Sequence, residues 1–259
     1  MMPQSQPCAT LPTGTPASAL AGLGVFVANV DNQTYTPLRV FMKRQGCTVE
    51  RVAMSAVRAR VQASSPDILL LDFSEEHNEC IHALRRAEPP GQHLLVVGFH
   101  DPAAADDRER ALAAGLDDLL PKPVDCAQLV SLLERLRFAL KVAPSVWQLP
   151  ATLRRQLCSL FIAEWPEVYG SLQTSHAAAD WAMLQRRAHY LKNSADVLGD
   201  DVLRMLCRRL EDAARASDGA TASALIADIA QTGKTLLEAA QICGGAVAPN
   251  MPAPRPAAG

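Results

Sequence analysis

Three short apolar runs, Gly24–Ala28, Asp67–Leu71 and Leu94–Phe99, constrain this chain most strongly. They lack the polar–apolar alternation of a half-exposed strand, and stretches of helical period separate them. A strand that is apolar on both faces must be covered on both, which requires a parallel sheet flanked by helices. Thr48–Val52 and Asp118–Leu120 supply two shorter strands. Leu38, Phe41 and Met42 mark one helix of this region, and Leu129, Leu132, Leu133 and Leu136 mark its last. The pattern predicts an α/β doubly wound parallel five-stranded sheet over residues 23–140. Functional groups of such sheets gather beyond the carboxyl ends of the strands.

Lys141–Ser145 breaks the pattern, and residues 141–148 are expected to form a linker. From 149 to 243 only helical period remains, which predicts an all-α helical bundle. Leu153, Leu157, Leu160 and Phe161 mark its first helix, with Val168 and Leu172 continuing it or opening another. Leu184, Ala188, Leu191, Ala195 and Leu198 recur at steps of four and three and form one buried face. Asp180 is positioned to cap that helix, and Gly199 ends it. Leu203, Leu206, Leu210 and Ala213 mark the next helix, and Leu225, Ile229, Leu236 and Ala240 the last. Residues 1–22 and 244–259 are rich in Pro, Ala and small residues and are expected to be disordered tails.

The 259 residues suffice for two domains, and 25 basic against 27 acidic residues leave a net charge of only -2. Such a balance gives no bulk attraction to nucleic acid or membrane. The seven cysteines are scattered without a Cys-x-x-Cys pair, which fits a reducing cytoplasm rather than a disulfide framework. No signal peptide and no membrane-spanning segment are expected, and the chain reads as cytoplasmic. The histidines outside the bundle, His77, His82, His93 and His100, lack metal-ligand spacing.

Within the bundle, His189, Lys192, Asn193 and Asp196 fall on the flank beside the buried face. The run His189-Tyr190-Leu191-Lys192-Asn193-Ser194-Ala195, followed by Leu198-Gly199, resembles the motif of histidine-containing phosphotransfer (HPt) domains. The resemblance spans residues 149–243 and implies a four-helix bundle. It makes His189 the phosphoryl acceptor and Lys192 its charge support, with no cofactor required. Asn193 stands where the family usually has glycine or another very small residue. Arg186, Arg187, Arg204, Arg208 and Arg209 give the helices a basic rim suited to an acidic partner.

Residues 23–138 resemble the receiver domain of response regulators, through Asp72 at the end of the third strand, Ala114-Gly115 and Lys122-Pro123. That likeness maps the phosphorylated aspartate to Asp72 and the conserved lysine to Lys122. Asn29 and Val30 occupy the places of the two acids that hold magnesium, and His100 replaces a serine or threonine. Asp72 and the neighbouring Asp31 are the only carboxylates left for weak magnesium binding, so a degenerate receiver is expected. Magnesium would matter only if the receiver were active.

The chain carries no ATP-binding kinase motif, so a phosphotransfer carrier rather than an enzyme is expected. Its partners would be sensor histidine kinases and response-regulator receiver domains. The alternative is a scaffold that binds a kinase or regulator independently of phosphorylation.

Overall fold

The computed structural model describes residues 18–102 and 107–243. The chain divides into two compact units, Met1–Leu153 and Arg154–Gly259. No helix among the described residues is long and apolar enough to cross a membrane.

The first unit runs β1 (Gly24–Ala28), α1 (Asn32–Arg44), β2 (Thr48–Val52), α2 (Val57–Ser64), β3 (Ile68–Asp72) and α3 (Asn78–Ala87). It continues with β4 (Leu95–His100), α4 (Asp107–Ala114), β5 (Asp118–Pro121), α5 (Cys126–Val142) and the short α6 (Pro144–Trp147). All strand pairs are parallel, in the order β2-β1-β3-β4-β5. Residues Ile68 to Leu71 and Leu95 to Phe99 are buried throughout, as their unbroken apolar character requires. On one face Phe26, Ala28, Leu69, Leu71 and Val96 pack with Ile81, Leu84, Ala111 and Leu116. The strand order reverses between β1 and β3, so their carboxyl ends flank the crevice where such folds place a site.

Below the sheet, a closed ion network ties the strand starts together. Arg85 donates to Asp117, Glu88 and the carbonyls of Leu94 and Gly115. His93 is 2% exposed at its side chain and sits 3.0 Å from Asp117 and 3.2 Å from Glu88. Burial opposes its charge, yet Asp117 and Glu88 outweigh that and raise its pKa above 6.5. Trp147 covers this ring, with centroids 5.1 Å apart.

That contact corrects the expected linker at residues 141–148. Helix α5 runs through Val142, and α6 buries Val146 and Trp147 to 1% and 2% exposure. The unit also begins earlier than expected. Leu20 is fully buried, and its carbonyl accepts from the Cys47 thiol, so residues 18–22 belong to the fold. The remaining tail residues, 1–17 and 244–259, lie outside the described residues.

The second unit comprises α7 (Ala151–Ala177, starting just before the boundary), α8 (Trp181–Leu198), α9 (Asp201–Arg215) and α10 (Gly219–Cys243). Asp180, Asp200 and Asp218 accept from the backbone N–H three residues on, opening α8, α9 and α10. Gly199 closes α8 in the left-handed region at φ 68°, a conformation that favours glycine. The five stripe residues of α8 are all buried, as the spacing predicts.

Helix α7 departs from expectation in phase. It is one helix through Pro166, and Leu153 and Leu160 are exposed at 42% and 53%. Its inner face carries Arg154, Cys158, Phe161, Trp165, Leu172 and Ser175. The bulk of Phe161 and Trp165 sets this phase, because the larger apolar side chains release more free energy on burial. Trp165 lies against Gly233 of α10 at a distance that leaves no room for a Cβ.

Gly233→Ala is therefore expected to destabilise the bundle by about 1–3 kcal/mol, the usual cost of overpacking a close contact. Urea unfolding followed by helix circular dichroism measures it, and an unchanged midpoint refutes the contact. His93 gives a second expectation. Its folded pKa is raised, so its stabilisation is complete below pH 6.5 and is lost as pH rises through the higher folded value. Hydrogen exchange in β4 should show this alkaline loss in the parent and not in His93→Gln.

Candidate functional site

Helix α8 points its apolar stripe inward, which turns His189 outward with its side chain 59% exposed. Lys192 is one turn further on and only 17% exposed at its side chain, leaning toward α9. There it meets Glu211, whose residue exposure is 6%. The Lys192 ammonium lies 2.7 Å from Glu211 Oε1, and His189 Nδ1 lies 3.3 Å from the same oxygen. Lys192 Nζ and His189 Nδ1 are 3.1 Å apart, closing a triangle. Arg215, one turn after Glu211, is 3.5 Å from Oε2.

An ammonium has N–H donors and no lone pair, so Lys192 Nζ donates both to Glu211 Oε1 and to His189 Nδ1. The side chains of this site thus offer a largely exposed imidazole held on its Nδ1 side by a lysine, with a carboxylate that the lysine neutralises within ion-pair distance of the same nitrogen.

Glu211 is the site residue that sequence reasoning passed over. Its signal was present: it falls one turn after Cys207, in phase with Leu203, Leu210 and Ala214 on the inward face of α9. A carboxylate on an apolar stripe requires a partner. Its neighbourhood also registers on Cys207, whose thiol is pushed up to about 12 by burial and then by Glu211.

The basic residues separate by position. Arg204, Arg208 and Arg215 recur with Glu211 along one stripe of α9 and are exposed on the His189 side. Arg209 is exposed but off that stripe. Arg204 pairs with Asp201 and reaches Asp196 of α8 at 3.7 Å. Arg186 and Asn193 are exposed on α8, while Arg187 is half-buried.

The first unit gathers its residues at the strand ends. Asp72 closes β3, and its Oδ2 lies 2.6 Å from Lys122 Nζ; its buried Oδ1 has no hydrogen-bond partner among the described residues. Asn29 follows β1 in the left-handed region at φ 51°, which asparagine tolerates better than most residues. Val30 turns inward and is 2% exposed. His100 ends β4 with Nδ1 on the Asp101 carbonyl at 2.9 Å. Arg51 donates to the Val30 carbonyl and Asn32, and lies over the Tyr35 ring.

Asp31 commits its carboxylate to a helix cap. Its two oxygens accept from the Thr34 N–H and hydroxyl, both at 2.9 Å, and cap α1. The Thr34 backbone and side-chain hydrogen bonds hold its carboxyl below the ordinary range. Magnesium needs oxygen ligands in near-octahedral array, and here the strand ends offer one carboxylate already ion-paired to lysine. The residues do not fit the ion. No group of three His, Cys, Asp or Glu that could hold a metal occurs among the described residues.

Residues 156–241 match the family model of the Hpt domain. That match supports histidine phosphotransfer within a phosphorelay in general terms. The N-terminal unit has a receiver-like five-stranded arrangement, and no receiver family model matches it. The chain is also similar to an "uncharacterized 14.6 kDa protein in sodA1 3' region" of Leptolyngbya boryana, at 28% identity over 120 residues. The aligned part covers 45% of this chain and 91% of that protein.

If Asp31 serves as a cap, Asp31→Ala should lower the unfolding midpoint while Asp31→Asn, which keeps a capping acceptor, largely preserves it. Circular dichroism during urea titration reads both. Equal loss in the two variants would show that charge, not capping, is what Asp31 supplies.

Proposed function

We propose that the C-terminal bundle is a phosphoryl carrier that accepts a phosphoryl group on His189 from the phospho-aspartate of a receiver domain in another protein and passes it to a second receiver. The observation that carries this reading is the exposed His189 imidazole, backed on its Nδ1 side by the Lys192–Glu211 pair. Nε2 attacks phosphorus, an N–P bond forms, the acyl P–O bond breaks, and the partner's aspartate leaves as a carboxylate. Phosphoryl transfer asks little covalent work of a protein beyond position and charge, and the receiving partner supplies the metal and most of the charge. The bundle therefore needs few groups of its own. Glu211, 3.3 Å from Nδ1, stabilises the proton and the cationic character that the ring gains on phosphorylation. Lys192 keeps Glu211 neutralised before that happens.

The basic stripe Arg204, Arg208 and Arg215 beside His189 suits the acidic rim of a receiver. The N-terminal unit is assigned a docking or regulatory role without phosphorylation at Asp72. The Asp72–Lys122 ion pair and the capping role of Asp31 favour this reading for that unit. Sensor kinases and response regulators are the partners, the compartment is the cytoplasm, and the phosphoryl source lies outside this chain. The carrier domain is assigned to residues 149–243.

A transfer assay with a phosphorylated receiver as donor tests the proposal. His189→Gln should abolish acid-labile, base-stable label, and Lys192→Ala and Glu211→Gln should slow labelling by about 10–100-fold, the usual range for groups that orient a reactive side chain. Asp72→Ala should leave it unchanged. Equal labelling of His189→Gln and the parent would overturn the assignment.

A further inference from the structure

His93 lies just before β4 in a closed site, with both ring nitrogens facing carboxylate oxygens. Nδ1 is 3.2 Å from Glu88 Oε2, and Nε2 is 3.0 Å from Asp117 Oδ1. A carboxylate only accepts, so both nitrogens carry hydrogen and the ring is an imidazolium. The other two oxygens are engaged as well. Glu88 Oε1 accepts from Arg85 and the Leu94 N–H, and Asp117 Oδ2 accepts from Arg85 and the Val96 N–H. Two cations against two carboxylates leave the cluster without net charge. Asp118, the next residue, pairs with Arg108 instead, and α6 brings no charged side chain.

The cover on this cluster is α6. The Trp147 ring lies 5.1 Å from the imidazole, tilted by 57°, and a cation at such a distance is attracted by an indole. Beside it, Gln148 Oε1 accepts from the Gly91 N–H at 3.4 Å, tying the same segment to the loop before β4. We propose that α6 is a pH-sensitive latch: Trp147 seals the cluster while His93 is protonated, and loss of that proton at alkaline pH unseats it. A neutral imidazole has one N–H, so one ring nitrogen would turn a lone pair on a carboxylate oxygen. The sealed cluster would also carry a net charge of one carboxylate with no water to screen it, which is costly. Admitting water relieves both, and a helix of four residues is the cheapest neighbour to lift, since β4 and β5 are fixed in the sheet.

The direction of the switch follows from the same groups. Burial opposes the charge on His93, but Asp117 and Glu88 outweigh it and hold its pKa above 6.5. The latch is therefore fully closed below pH 6.5 and opens as pH rises through the higher folded value. Coupling of this kind is reciprocal: closure of α6 favours the charged ring to the same extent that the charged ring favours closure. Release frees the chain between α5 and α7, because α6 is the element that anchors it to the first unit. The device is independent of the chemistry at His189.

Fluorine NMR of the full-length protein labelled with fluorotryptophan, recorded from about pH 6 to about pH 10, tests the latch. The chain has three tryptophans, and the Trp147 line is the one missing from Trp147→Phe. That line should move to a solvent-exposed position with the same midpoint as the His93 ring protons, while the lines of Trp165 and Trp181 stay in place. Glu88→Gln removes one facing charge but keeps an acceptor, so it should lower both midpoints together by about one pH unit. In His93→Gln the Trp147 line should not respond to pH. Should that variant fail to fold, agreement of the two midpoints in the parent and in Glu88→Gln decides. A Trp147 line that stays put while His93 titrates, or moves at a different pH, would overturn the proposal, as would a His93 that keeps its proton to about pH 10.

Discussion

A carboxylate with almost no solvent access needs a cation, and in the bundle Glu211 finds it on the neighbouring helix. An unpaired ion in that position would cost several kcal/mol, so α8 and α9 are held to the register in which Lys192 reaches it. Everything specific about the site follows from that register. It brings His189 Nδ1 within 3.3 Å of the same oxygen while the side chain stays 59% exposed. The apolar stripe of α8 would tolerate small sliding along α9, whereas the ion pair does not.

The N-terminal unit uses the same pairing to a different end. At the top of the sheet Lys122 closes on Asp72, and the neighbouring strand end supplies Asn29 and Val30 instead of acids. The first free carboxylate after β1, Asp31, is committed to starting α1. At the bottom, Arg85 and His93 meet the carboxylates of Glu88 and Asp117, and the four side chains satisfy one another. Such a network tolerates burial because each charge has an opposite partner and a hydrogen bond. The unit has a receiver-like five-stranded arrangement, and its buried ionic groups are paired with one another.

Much of this was legible along the chain. The parallel sheet followed from strands that are apolar on both faces, and the inner face of α8 from its steps of four and three. The exposed position of His189 followed from the same stripe. Helix α7 was harder, because Leu153, Leu157 and Leu160 also repeat at helical spacing. Periodicity gives the existence of a face, and the partner surface chooses which of two competing faces is buried. Gly233 on α10 makes the recess that accepts Trp165, and that recess lies far away in sequence. The segment from Lys141 to Trp147 reads as a break, yet Trp147 has a buried imidazole to cover.

The two fold classes, the helix carrying His189, and the residues Asn29 and Val30 after β1 can all be read along the chain. These depend on local order: period, capping residues, and the identity of side chains at strand ends. Folding is what brings Glu211 to His189 and Lys192, commits Asp31 to a cap, and lays Trp165 on Gly233. Each is a contact between elements separated by turns or whole helices. Such contacts are set by how large side chains and buried charges are satisfied together, which no single window of sequence contains.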